Sequence, residues 1–237
     1  MKRPDAYKVY LILTFASSGL FAMAFTATSL YEAATAGLNP LQLVLIGTML
    51  ELSVLLCEVP TGVVADVYSR RLSIIAGHTL IGCGFLVEGF FPHFLPILLA
   101  QVLLGLGYTF TSGATQAWLS DEIGEERANE AFLTANRIGL VGALVGMLGA
   151  IGLGSFTSTA MPILVSGAGR LALATALIFL MVETGFKPTR PEGSNPFQNL
   201  GGTFRKGLLT VRARPALVAI LGVALFYGIY SEGFDRL

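Results

Sequence analysis

The sequence predicts an all-α integral membrane protein, and three observations carry that prediction. Charged residues make up only 13% of the 237 positions and the mean hydropathy is +0.71, whereas a soluble domain carries about 25% charge. Runs of the length a membrane helix needs, roughly 20 mostly apolar residues, recur along the chain. The few basic residues gather in alternate connections between those runs. Fifteen Lys and Arg balance fifteen Asp and Glu, so no basic excess points to a nucleic-acid partner. Such an apolar, neutral chain does not stay disordered. Two cysteines, Cys57 and Cys83, are too few for a disulfide scaffold or a cysteine-based metal cluster. Strict alternation of apolar and polar residues is absent from the apolar runs, which excludes a barrel.

Six spans are expected in the first part of the chain, at 8–31, 41–60, 72–91, 95–118, 132–154 and 161–182, with a seventh from about Pro215 to Tyr230. The first is too long for the apolar core of a signal peptide and no small-residue cleavage pattern follows it, so it reads as a retained helix. Lys2, Arg3, Lys8, Arg70, Arg71, Arg127, Lys187, Arg190, Arg205, Lys206, Arg212 and Arg214 all fall on one side of this layout. These are twelve of the fifteen basic residues, and the opposite loops near 32–40, 92–94 and 155–160 hold none. By the positive-inside rule the N-terminus is cytoplasmic. A multi-pass location in the plasma membrane, the inner membrane of a bacterium, follows.

The connection after the sixth span is the long polar one. Leu200, Phe204, Leu208 and Val211 recur there at helical spacing with basic residues between them, the pattern of an amphipathic helix on the membrane face. Gly201, Gly202 and Gly207 weaken that helix and leave a plain linker as the alternative. The expected organisation is a six-helix bundle at 1–184, a cytoplasmic linker at 185–213 and the start of a second bundle at 214–237. A lone seventh helix has no symmetric counterpart, so the chain reads as a fragment of a longer protein.

The junction between the second and third spans reads Glu58-Val-Pro-Thr-Gly62-Val-Val-Ala-Asp66-Val-Tyr-Ser-Arg70-Arg71. It resembles the signature G-x-L-a-D-r-x-G-r-k of the major facilitator superfamily, matched at Gly62, Ala65, Asp66, Arg70 and Arg71. Val67 replaces a frequent basic residue and Ser69 the second glycine. The resemblance implies the family's N-terminal bundle of two inverted three-helix repeats, followed by the central linker and helix seven. It also implies a cytoplasmic gating latch at Gly62, Asp66, Arg70 and Arg71. Pro60 and Gly62 are expected to loosen the end of the second helix. Glu58 is expected to bond to the latch arginines.

Two weaker resemblances point to drug-proton antiporters. Gln101 stands where the family's fourth helix often has an arginine, and Leu104 replaces a glutamine beside the retained Gly105. On the fifth span Gly142 and Gly146 keep two glycines of the antiporter pattern, while Met147, Ala150 and Ile151 depart from it. Gly142, Gly146 and Gly149 also form a stripe of small residues that lets helices approach closely.

Ionisable groups at bilayer depth are costly and mark candidate function. Glu51, Glu58, Gln101 and Arg170 are the candidate coupling or substrate-pathway residues. Arg170 is expected to have a carboxylate or carbonyl partner or to face water. Arg137 is expected to snorkel, Glu32 and Glu88 to be solvated at outer helix ends, and Trp118 to anchor at the interface. The acidic stretch Ser120–Glu130 is expected to be a solvated loop. His78 and His93 have no companions at metal spacing, and no cofactor is expected.

The function expected is secondary active transport of small amphipathic solutes or drugs, outward against protons, by alternating access. A facilitator or importer of a polar small solute is the alternative, motivated by Gln101 and the weakened glycine pattern. A seven-helix receptor or an intramembrane enzyme is disfavoured, because neither a His-Glu metal motif nor paired intramembrane aspartates occur. The expected partners are the small-molecule substrate, protons, the lipid bilayer and a C-terminal half, without which 1–237 alone should not transport.

Overall fold

The computed structural model describes residues 5–188, together with 214, 218, 219, 222 and 223. The chain divides into two units, 1–188 and 189–237. The first unit is all-helical. Its helices are α1 (Ala6–Leu30, extended by a π turn at Tyr31–Thr35), α2 (Pro40–Val67), α3 (Arg70–Phe90), α4 (Phe94–Thr111), α5 (Ala114–Ile123), α6 (Glu125–Phe156) and α7 (Ala160–Leu180). Taking α4 and α5 as one interrupted run gives, among the described residues, six stretches long and apolar enough to cross a membrane. This is the expected six-helix N-terminal bundle. The amphipathic helix expected at 185–213 and the seventh span fall almost wholly outside the described residues.

Local chemistry explains where the helices start. Asn39 and Gln42 form a reciprocal capping box at α2, and Pro40 takes the first helical position, where its missing N–H is not needed. The Ser69 hydroxyl accepts from the Leu72 amide and caps α3. Gly113 and Gly124 have positive φ, at 69° and 84°, a region side-chain-bearing residues avoid. Gly113 breaks the fourth span into α4 and α5. Gly124 joins α5 directly to α6.

Two expectations are corrected here. The acidic stretch after Ser120 is helical on both sides of Gly124 rather than a loop. Glu125 and Glu126 occupy the first turn of α6, where negative charge suits the helix dipole. The second helix does not loosen at Pro60 and Gly62 but continues to Val67. The Thr61 hydroxyl donates to the Cys57 carbonyl at 2.8 Å and helps satisfy the turn that proline weakens.

Helix packing is organised by glycine, as expected where lipid tails offer no hydrophobic drive between helices. α1 lies against α6. A Cβ on Gly142 would collide with the Phe15 carbonyl oxygen and one on Gly146 with the Gly19 carbonyl oxygen, while one on Gly149 would come within 2.8 Å of the Met23 methyl. The stripe read from the sequence is therefore a close backbone approach. α3 sits centrally, using one face for α4 and another for α7. Gly77 meets Gly107 on the first face, and Gly82 meets Gly167 and Leu171 on the second. Gly105 of α4 receives Ser53 and Leu50 of α2.

Candidate functional site

Polar chemistry within this unit falls into three places. The first is the corner between α2 and α3. Arg70 Nη1 lies 2.6 Å from the Asp121 carboxylate of α5, and Arg70 Nη2 lies 3.7 Å from Asp66. The Arg70 and Asp121 side chains are 18% and 27% exposed, against 58% for Asp66, so Asp121 is the stronger partner. The segment after α7 is tied to the same corner. Glu183 accepts from the Ser69 hydroxyl at 2.6 Å and from the Arg71 amide at 3.0 Å. Arg71 Nη2 donates to the Ile178 carbonyl. Glu122 accepts from the Thr184 hydroxyl at 2.7 Å and the Gly185 amide at 2.7 Å. Arg70 also stands over the Phe186 ring, 5.9 Å from its centroid, within cation–π range.

The residues read as a latch thus come together at Arg70 and Arg71, with Asp66 at the rim. Gly62 lies inside α2 with open space where a Cβ would be. Glu58 does not bond to the arginines. It is exposed one turn before Gly62. A charge-assisted hydrogen bond this short contributes about 1–2 kcal/mol once its partial exposure is allowed for, whereas a long pair with an exposed partner contributes about 0–1 kcal/mol. In the full-length protein Asp121→Asn should therefore lower the unfolding temperature in detergent more than Asp66→Asn. Equal shifts would contradict this ranking.

The second place lies toward the C-terminal ends of α1 and α3 and the N-terminal half of α4. Glu88 is fully buried. It accepts from the Thr28 hydroxyl at 3.2 Å and from Gln101 Nε2 at 3.3 Å, and its backbone carbonyl accepts from the Tyr31 hydroxyl at 2.7 Å. Glu32 is buried as well. Neither glutamate is solvated as their positions near helix ends suggest. Gln101 finds a carboxylate here. A signal for Glu88 was present: Gly77, Ile81, Gly84 and Glu88 share one face of α3, the face that packs on α4.

The third place is at mid-depth. Arg170 of α7 is buried and donates through Nη1 to the Ser17 hydroxyl at 2.9 Å and to His78 Nδ1 at 2.9 Å. Its Nη2 donates to the Ser17 carbonyl at 2.9 Å. The expected carbonyl partner is found. No carboxylate pairs with Arg170 among the described residues. His78, absent from the sequence-derived candidates, follows the same register as Gly82 and Gly89 on the α7 face of α3. Beside this cluster is a cavity of about 250 Å³ between α1, α3, α4 and α5. Its polar lining includes Thr14, Ser17, Ser18, His78, Thr111, Thr115 and Gln116, with Tyr10 and Tyr108 beside them.

Glu51 belongs to none of these places. Glu51, Leu55 and Glu58 recur at i, i+4 and i+7 on one exposed face of α2. Arg137 is exposed on α6, in keeping with snorkelling. Trp118 is no interfacial anchor: it is 1% exposed, and its indole N–H donates to the Val182 carbonyl at 2.8 Å.

Three comparisons bear on this arrangement. The family model of the Major Facilitator Superfamily matches residues 10–234. A Bacillus subtilis (strain 168) protein described as the uncharacterized MFS-type transporter YxaM is 29% identical over 111 residues, covering 46% of this chain and 27% of that protein. Crystal structures of the nucleoside transporter NupG are similar in fold. A point mutant is 16% identical with a TM-score of 0.72, covering 88% of this chain and 52% of that one. A second structure is 16% identical with a TM-score of 0.68, covering 81% and 48%. The chain thus spans about half the length of these solved structures and about a quarter of YxaM.

Proposed function

This chain belongs to the major facilitator superfamily, and from that premise we propose that it forms one wall of an alternating-access carrier for a small polar solute. The observation that carries the reading is the mid-depth cavity. Hydroxyls, one imidazole and the Gln116 amide line it beside a single aliphatic side chain, Leu13, and among the described residues no Asp or Glu does. A carrier for lipophilic drugs would gain little from such a lining, because buried polar groups left unpaired by an apolar solute are costly. A second six-helix bundle supplies the opposite wall, and the two halves rock about the site. The basic connections support a cytoplasmic N-terminus and a plasma-membrane location.

Proton-coupled efflux of amphipathic solutes is the second reading, and Glu51 and Glu58 favour it. A carboxylate pair cannot rest against lipid tails. Their exposed face on α2 is suited to the solute pathway or to the second bundle, where either group could gain and lose a proton. The corner at Arg70, Arg71 and Asp66 serves in both readings as a cytoplasmic gate, with Asp121 as its main counter-charge.

Flux through the full-length protein in liposomes separates the readings. Labelled nucleosides, monosaccharides and small carboxylates are compared with a lipophilic cation, with and without a proton gradient. Nucleosides are included because the structural neighbours are nucleoside transporters, although at 16% identity they share the fold alone. The polar-solute reading expects polar flux that exceeds lipophilic-cation flux and survives Glu51→Gln and Glu58→Gln. Transport confined to the lipophilic cation, dependent on the gradient and lost in both variants, would replace it with the antiport reading.

A further inference from the structure

The mid-depth cavity has an electrostatic character that a merely polar lining does not explain. Arg170 is buried behind it on α7, and its hydrogen-bond partners are all neutral: the Ser17 hydroxyl, the Ser17 carbonyl and His78 Nδ1. Its Nε is buried without an acceptor among the described residues. Cross-linking three helices does not by itself require a charge. A neutral donor on α7 could bridge α1 and α3, and a buried guanidinium without a counter-ion is costly at membrane depth. The positive charge therefore asks for a purpose.

The hydrogen-bond directions point the same way. Arginine offers only donors, so His78 Nδ1 is the acceptor and the ring carries its proton on Nε2. The Ser17 oxygen accepts from Arg170, which leaves its own hydroxyl hydrogen available. Thr14, Thr111 and Thr115 instead donate to carbonyls of Tyr10, Tyr108 and Thr111 within their own helical runs. Ser17 and His78 both line the cavity. At Ser17 and His78 the spare capacity is thus donor capacity, backed by a buried cation, and the Gln116 amide on the same lining can donate as well as accept.

We propose that this cavity is an anion subsite: it takes the negatively charged group of a small organic anion, such as a carboxylate, on His78 and Ser17, with Arg170 as the charge behind them. Arg170 and Ser17 fix the tautomer and orientation of His78, and the guanidinium field excludes cationic solutes. The inference rests on the cavity belonging to the solute pathway and gives that solute its charge.

The field can be read without knowing the solute. Ser18, half-buried at the cavity wall, is replaced by cysteine in the full-length protein, with Cys57→Ser and Cys83→Ala removing the two thiols of this segment and any cysteine of the second bundle replaced by serine. The reaction rates of two methanethiosulfonates are measured in detergent, one carrying a sulfonate and one a trimethylammonium, each normalised to a free thiol. A unit charge at this separation in a partly buried site predicts a preference for the anionic reagent of about tenfold. Arg170→Lys keeps the preference and Arg170→Gln brings it close to one. A normalised ratio at or below one, reaction with neither reagent, or a preference unmoved in folded Arg170→Gln protein would overturn the proposal. If Arg170→Gln fails to fold, the ratio in the Ser18→Cys protein and in Arg170→Lys decides. Because covalent labelling needs no flux, a failure here is distinguishable from a failure of the transport reading.

Discussion

Gly146→Val is expected to remove most of the folded protein from a detergent extract. A Cβ at Gly146 would land on the Gly19 carbonyl oxygen of α1. The obstacle is backbone, so no side-chain rotation relieves it and the helices must separate. Separation would also open the neighbouring contacts of Gly142 with Phe15 and of Gly19 with Gly142. Overpacking costs about 1–3 kcal/mol where side chains can yield, and a backbone collision should sit at or above the top of that range. Gly152→Val on the same helix is the control, because nothing lies within 4 Å of its Cβ position. Size-exclusion profiles of full-length protein should show a collapsed monodisperse peak for Gly146→Val and an unchanged one for Gly152→Val. Equal behaviour of the two variants would show that the α1–α6 seam is looser than described.

Trp118→Ala should be the most damaging large-to-small change at the end of the unit that holds the α2–α3 corner. The indole is buried among Val9, Tyr10, Leu13, Ile74, Leu119 and Leu177. Emptying such a site costs about 3–5 kcal/mol. Trp118→Phe keeps most of the ring and loses the hydrogen bond to Val182, a change of about 1 kcal/mol. Thermal unfolding of the full-length protein should rank the original protein above Trp118→Phe and Trp118→Phe well above Trp118→Ala. Were Trp118 an interfacial anchor, both variants would fall within about 0.5 kcal/mol of the original, as exposed substitutions do.

Trp118 also shows where sequence reading stops. At a predicted span end, an interfacial tryptophan and a buried one look alike, because both sit at the edge of an apolar run. What decides between them is the Val182 carbonyl, 64 residues away. The same holds for Glu183, which joins the α2–α3 corner from 112 residues away, and for Asp121, which displaces Asp66 as the main partner of Arg70. The spans were legible because length and hydropathy are local properties. The glycine stripe of α6 was legible because its four-residue spacing is local too. Its partner on α1 was not. Glu88 and His78 lay in between: each continues a glycine register on α3, but proximity to a helix end or isolation from other ligands masked it. The end of α2 was misplaced because proline and glycine signal a break in water more strongly than inside a membrane, where every backbone group must be satisfied within the helix.

The central claim is that the mid-depth cavity is the solute pathway of a carrier that opens to each face in turn. The most direct measurement is labelling of the Ser18→Cys full-length protein with a membrane-impermeant maleimide, in right-side-out and in inverted vesicles. The carrier account predicts modification from both faces, with closure of either face by a cysteine cross-link abolishing labelling from that face while the other remains reachable. Labelling confined to one face in every condition would contradict it.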